Sequence, residues 1–303
     1  MVCSTDPLSF IPPLGPRYSA WLSANLIASD IATSGFPPQY GIFDFNLPPT
    51  MPNSVFATYW RAFHQECRRL GVSIIAGHTG RYVGCDYTII GGGTMMTICP
   101  LNQFLTSNMA RAGDDLILTK GAAIETTAVL TRSFPHIVKR RLGQRLFDKA
   151  LGYATKVSSV EDALTAASAG LRGAGVTAMH DATEGGVIGG IFDLVNASRL
   201  GATVDLESIF ISEETREVCK LFHLDPLISL SEGSLLISTR PSKTGKVLRL
   251  LSVKGVRAKA VGRLLPGFRG VHATTRRGTI RVHQPSSDPY WAAYWRAKRR
   301  SWS

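Results

Sequence analysis

The chain has 303 residues, 34 Lys+Arg against 22 Asp+Glu, 44% hydrophobic side chains and 5 cysteines. That composition suits a globular protein with room for a substantial core, and it excludes collagen-like, disulfide-scaffold and disordered classes. The length favours two domains over one. No apolar run reaches the roughly 18 to 20 residues that span a bilayer, and residues 1–7 carry neither a basic nor an apolar signal region. The expectation is a cytoplasmic protein with no membrane association.

Helical spacing of Trp21, Leu22, Leu26, Ile27 and Ile31 predicts a helix over 18–35, ended by Gly35-Phe36-Pro37-Pro38. A second helix is expected over 54–70, closed by Gly71, followed by strands over 72–76 and 87–98. Gly91-Gly92-Gly93 interrupts the latter and implies a bulge or a close backbone approach. The polar stretch 108–115 reads as a domain boundary, giving expected domains of 1–107 and 108–303. Beyond it the pattern predicts strands over 116–119, 176–179, 202–206, 234–238, 258–263 and 272–282. Helices are expected over 124–132, 137–151, 160–171, 186–199, 213–222 and 243–253. A terminal helix should start with Asp288 as N-cap and Pro289 in its first turn. The class is α+β or α/β, without internal repeats.

Cys3, Cys67, Cys85, Cys99 and Cys219 are odd in number, spread out, and form no C-x-x-C pair, so buried free thiols are expected rather than disulfides or zinc. Charge is uneven: from Arg240 onward lie 16 of the 34 basic residues but only one of the 22 acids, Asp288. Such a basic quarter can be a solvated face, a site for an anionic small molecule, or a nucleic-acid contact. The basic residues alternate with strand-like apolar positions and carry no nucleic-acid module, which favours the first two.

The most informative stretch is Met179-His180-Asp181-Ala182-Thr183-Glu184-Gly185-Gly186-Val187-Ile188-Gly189-Gly190. A short strand ends in an acid, a glycine-rich turn follows, and a helix opens. Backbone N–H groups at a helix N-terminus bind phosphate, and an Asp at the strand end can hold Mg²⁺ against its oxygens. The competing reading is a tight strand-to-helix connection capped by Asp181 or Thr183. The Gly-Lys-Ser/Thr ending of a Walker A loop is absent.

This segment resembles the His-Asp-x-Thr-x-Gly-Gly element of the AIR synthase (PurM-like) superfamily. Five other segments resemble that family in the same order: Thr5-Asp6-Pro7; residues 24–32; Ala76-Gly77-His78-Thr79; Gly113-Asp114-Asp115 running to Lys120; and Ser231-Glu232-Gly233. The closest likeness is to its HypE-like, AIR synthase-related members. The resemblance implies an α+β, two-domain PurM-like fold whose N-terminal strands pair with a second copy into a barrel, making a homodimer. It also implies ATP and Mg²⁺ as cofactors, and phosphoryl transfer activating a small-molecule or protein acceptor.

By the same resemblance Asp30, Asp181 and Asp6 match metal-ligand positions. Asp6, Asp30, Gly77, His78, Thr79, Thr183, Gly185 and Gly186 match nucleotide positions. Glu232 and Lys120 are candidates for substrate or phosphate contact. Taken singly, Asp6 before Pro7 also suits a turn, Asp30 an exposed helix position, and His78 a satisfied strand-end histidine. Family members carry a further glycine-rich, Asp-containing segment upstream of the Thr-Asp element, and HypE proteins end in a cysteine, whereas this sequence ends Arg300-Ser301-Trp302-Ser303. The alternative to an active enzyme is therefore a nucleotide-binding or regulatory subunit of the same fold.

Overall fold

The computed structural model describes residues 1–275, 278–300 and 302; positions 276–277 of the predicted strand and residues 301 and 303 lie outside them. The N-terminal part runs β1 (Val2–Ser9), α1 (Gly15–Thr33), β2 (Tyr40–Leu47), α2 (Asn53–Leu70), β3 (Ser73–Arg81) and β4 (Ile89–Thr97). Its sheet has the order β1-β4-β2-β3, antiparallel except for the β2/β3 pair.

Alternation along β2 sends Phe43, Phe45 and Leu47 into a core with Ile27, Ile31, Tyr59 and Phe63 of the two helices. Tyr40 and Ile42 on β2, with Ile75 and Ile89 on its neighbours, stay exposed. Neither β1 nor β2 is anticipated by the sequence reading, although Phe43, Phe45 and Leu47 already show a two-residue period. The strand expected over 72–76 continues to Arg81, so Gly77, His78 and Thr79 are strand residues rather than a turn.

A second, seven-stranded sheet has the order β11-β10-β7-β9-β5-β8-β6. Its elements in chain order are β5 (Asp115–Thr119), α3 (Ile124–Ser133), α4 (Pro135–Leu151), α5 (Val160–Ala167), β6 (Val176–Asp181), α6 (Gly186–Ser198) and β7 (Gly201–Asp205). There follow α7 (Glu213–Phe222), β8 (Leu235–Thr239), α8 (Pro241–Val253), β9 (Ala258–Leu265), β10 (Gly270–Thr275), β11 (Gly278–Val282) and α9 (Tyr290–Arg299). Only the β10/β7 pair is parallel, which makes the fold α+β. The strand expected over 272–282 is a hairpin, β10 and β11. Every residue of β8 is buried, because α6 covers one face of the sheet and α5 with α8 the other.

Helix α1 joins the halves. Ile27 and Ile31 belong to the core of the first sheet, Leu22 to the α3/α4/α7 cluster, and Ala32 to the core beneath α5 and α8. Its many Ser and Ala positions (Ser19, Ala20, Ser23, Ala24, Ala28, Ser29) are fully buried, since small side chains let elements approach from several sides. Cys67 and Cys219 are buried thiols as expected, but Cys3 is exposed and Cys85 and Cys99 are half-buried.

Pro289 is the N-cap of α9, one position later than expected, and Asp288 Oδ1 accepts the Tyr290 N–H at 2.8 Å. Tyr290 and Tyr294 are buried against Phe134 and Phe222, whereas Trp291 and Trp295 are partly exposed, and the basic residues 298–300 remain outside. Truncation before Tyr290 is expected to lower unfolding free energy by at least about 4 kcal/mol, since two core aromatics are lost. Urea denaturation checks this, and ATP affinity should change less than stability does.

Candidate active site

The α1 junction gathers carboxyl groups. Along β1, Ser4, Asp6 and Leu8 alternate toward α1, while Cys3, Thr5 and Pro7 face outward. Ser4 Oγ donates to Asp30 Oδ2 of α1 at 2.6 Å. Helix α1 also packs on β6, whose last residue is Asp181. Burial, then the Asp181 carboxylate, pushes Asp30 up to about 7, against the opposing Ser4 hydrogen bond. Burial, with Asp30 and Glu184 beside it, pushes Asp6 up to about 7 as well. Asp6, Asp30 and Asp181, on three elements from both halves, therefore form one electrostatic unit.

Glu232 adds to it from the loop before β8. It is 2% exposed; Oε2 accepts from Thr183 Oγ1 at 3.0 Å and Oε1 has no partner. Burial first, and then Asp181, Glu125 and Asp30, hold its carboxyl well above the usual range. Glu125, in the first turn of α3, also has an unpartnered oxygen, and burial with Glu184, Asp288 and Asp6 pushes it up to about 8. The sequence reading missed Glu125, whose only signal is an acid in the otherwise uncharged run Ile124 to Thr131.

Several expected contacts are taken up by the chain itself. The Gly185 N–H donates to Asp288 Oδ2 at 2.8 Å, and the Gly186 N–H to the Thr183 carbonyl at 3.1 Å. Gly186, at φ +62°, is packed so tightly that a Cβ would lie 2.7 Å from the Leu227 carbonyl oxygen. The turn is thus a closed connection with both of these amides satisfied. Asp288, expected as a helix cap, is also its internal anion.

Lys120 Nζ donates to the carbonyls of Ser158 at 2.7 Å and Gly233 at 2.9 Å and lies 3.0 Å from Asp162. Its three donors are used, so it staples the 231–234 loop instead of standing free for phosphate. Lys120→Met should destabilise the fold by about 3 kcal/mol by stranding the buried Asp162 carboxylate, measured by urea unfolding. Gly77, His78 and Thr79 lie on β3, at the far edge of the sheet from β1, where His78 Nε2 is 2.9 Å from the Tyr82 hydroxyl. Two strands intervene, so the structure does not bring them to the carboxylates.

Among the described residues no three His, Cys, Asp or Glu side chains converge as a ready-made metal cage. The donor set still fits Mg²⁺, which is generally held by one or two carboxylates with phosphate oxygens and water. Crowded carboxyls and an unpartnered Glu232 oxygen are also what a cation would relieve.

Comparison with known proteins agrees with this architecture. Residues 1–98 match the N-terminal domain, and residues 111–273 the C-terminal domain, of the model for AIR synthase related protein. The carbamoyl dehydratase HypE of Rhizobium leguminosarum is 26% identical over 269 residues, covering 86% of this chain and 71% of that protein. The crystal structure of Escherichia coli HypE superposes with a TM-score of 0.80 at 22% identity, covering 95% of this chain and 86% of that one. A structure of the hydrogenase maturation protein HypE in complex with ATP gives 0.71 at 18%, with the same coverage. The PurM-like two-domain fold implied by the motifs is therefore present, and this chain belongs to the AIR synthase related protein family.

Proposed function

We propose that the protein is an ATP- and Mg²⁺-dependent enzyme that activates an acceptor by phosphoryl transfer. The observation that carries this reading is the mutual electrostatic influence of Asp6, Asp30, Asp181 and Glu232, drawn from both halves of the chain, together with an unpartnered buried oxygen on Glu232. Asp30 and Asp181 would hold Mg²⁺ with the nucleotide phosphates, and the metal would supply the charge neutralisation that the transferred group needs. The chain's own part is positional. Ser4 orients Asp30, Thr183 orients Glu232, and Lys120 fixes the loop that carries Glu232. A small molecule or a protein segment is the proposed acceptor, and the carbamoyl dehydratase among the relatives supports an acceptor that bears an oxygen to be activated.

A second reading has its own support. Because Asp288 occupies the Gly185 N–H, nucleotide could be held without turnover, as in a regulatory subunit. Calorimetry with ATP in the presence and absence of Mg²⁺, followed by phosphate release with and without candidate acceptors, separates the two. Mg²⁺-independent ATP affinity would defeat the first reading, absence of ATP binding would defeat both, and Mg²⁺-dependent binding that never turns over would favour the second.

The homodimer is also proposed. Exposed Tyr40, Ile42, Ile75 and Ile89 on the first sheet, together with its open β3 edge, are surfaces that a second copy would cover. Light scattering at micromolar concentration should report a dimer, and a monomer there overturns the proposal.

A further inference from the structure

We infer that the protein has a second binding site, separate from the carboxylate cluster, for a small multiply charged anion of the phosphate class. A cavity of about 270 Å³ lies between the start of β9, the end of β5 and the loop before α7. Leu118 and Val261 contribute its apolar floor, and Arg216, Arg257 and Lys259 stand around it. Drug-sized ligands occupy roughly 300–1,000 Å³, so this space suits a compact anion such as pyrophosphate or a short phosphate ester rather than a nucleoside triphosphate.

The walls are tied together by backbone hydrogen bonds. The Lys120 N–H donates to the Arg257 carbonyl at 2.7 Å, and the Ala122 N–H to the Phe210 carbonyl at 3.0 Å. Gly121, at φ +112°, passes so close that a Cβ would fall 2.2 Å from the Phe210 carbonyl oxygen. The three segments are thereby locked edge to edge, and the cavity exists before any ligand arrives.

The cations are equally set. The Arg257 guanidinium lies 3.6 Å from the centroid of the Phe210 ring, which holds its plane while leaving its N–H edge for an anion. Among the described residues, neither Arg216, Arg257 nor Lys259 forms an ion pair or donates a side-chain hydrogen bond. Lys259 is attracted to Asp205, but that carboxylate already accepts from Ser208 Oγ and from the Glu207 N–H. Glu207 also lines the cavity and is the acid that the ligand must tolerate. Arg257 and Lys259 belong to the basic C-terminal quarter, whose charge the carboxylate site does not use. A phosphate-class anion is what a rigid pocket ringed by exposed, unpaired arginines and a lysine takes, because planar guanidinium forks match its oxygens.

The experiment is pyrophosphate titration by calorimetry in EDTA, where the metal-free carboxylate cluster repels anions and only the cationic cavity should respond. Arg257→Gln and Lys259→Gln should each weaken pyrophosphate binding about tenfold or more, as expected for losing a hydrogen bond to a charged group. Their melting temperatures and Mg²⁺-dependent ATP affinity should stay as in the unsubstituted protein, so this result stands or falls apart from the ATP reading. Absence of pyrophosphate binding, or binding insensitive to both substitutions, overturns the inference. Tight binding of single-stranded RNA that pyrophosphate fails to displace would also overturn it, marking the basic residues as a diffuse polyanion surface.

Discussion

Asp181→Asn and Asp30→Asn are each expected to reduce ATP affinity in Mg²⁺ by a factor of roughly 10 to 100 or more, while affinity without Mg²⁺ changes little. Loss of groups that merely support metal ligands costs about that much, and loss of a ligand carboxylate should cost no less. The two residues come from α1 and β6, so either substitution also removes a charge that faces the other across the junction. Asn keeps the shape and one acceptor oxygen, which confines the effect to charge. Calorimetry with and without Mg²⁺ checks the ratio, and equal losses under both conditions would make these residues nucleotide contacts or structural groups rather than metal ligands.

The same geometry sets how the metal-free protein responds to pH. Asp6 and Asp30 are each raised to about 7 from an ordinary value of 3.8, so between those limits the folded chain binds more protons than the unfolded one. Stability is therefore greatest below pH 4 as far as these groups are concerned, and falls as pH rises to about 7. After allowance for partial exposure and screening, the loss should be on the order of 2 kcal/mol. Asp30→Asn should consequently raise the melting temperature of the metal-free protein at neutral pH and flatten its decline between pH 4 and 7. Mg²⁺ with ATP should reverse that ranking, because only the unsubstituted cluster gains from the cation.

What the sequence makes legible is local. The strand, acid, turn and helix at 176–199 come from contiguous residues, and the structure shows them as β6 and α6. Asp181 is the last residue of β6, directly before the turn that leads into α6. What is not legible depends on distant partners. The Gly185 amide is satisfied by Asp288, 103 positions away, and no local pattern distinguishes that from a free phosphate cradle. Lys120 reads as a free cation until Ser158, Asp162 and Gly233 are placed around it. His78 lies near Asp6 in a motif list but far from it in the sheet, because the order β1-β4-β2-β3 puts the first and third strands at opposite edges. Strand β1 goes unrecognised for another reason: Cys3, Thr5 and Pro7 on one side and Ser4 and Asp6 on the other offer little apolar alternation. Asp6 reaches the site because that polar strand faces a helix carrying Asp30.

Substituting alanine along Gly91-Gly92-Gly93 is expected to give three different outcomes from one chemical change, with Gly91→Ala the largest. Gly91 has φ +153°, and a Cβ there would lie 1.9 Å from the Asp44 carbonyl oxygen and 2.9 Å from its carbon. Those are backbone atoms of the β2 partner, so relief requires strand separation rather than side-chain rotation. The position also adjoins the bulge, where pairing with β1 shifts from Leu8↔Gly91 to Ser9↔Ile89. A loss of about 3 kcal/mol or more, with partial unfolding of the first sheet, should follow. At Gly93 the Cβ would meet Ile27 Cδ1 and Phe43 Cδ1 at 2.7 Å, both ends of side chains, so repacking should hold the loss to roughly 1–2 kcal/mol. At Gly92 nothing lies within 4 Å, and alanine should be neutral within about 0.5 kcal/mol in the monomer. The Gly92 variant carries a further consequence. Its Cβ points to the open face of the sheet, the surface assigned to a second copy, so it should weaken self-association while leaving monomer stability intact. Chemical denaturation ranks the three, and light scattering on the Gly92 variant reads the interface. Equal stability losses at all three positions would mean that the glycines serve flexibility rather than these particular close approaches.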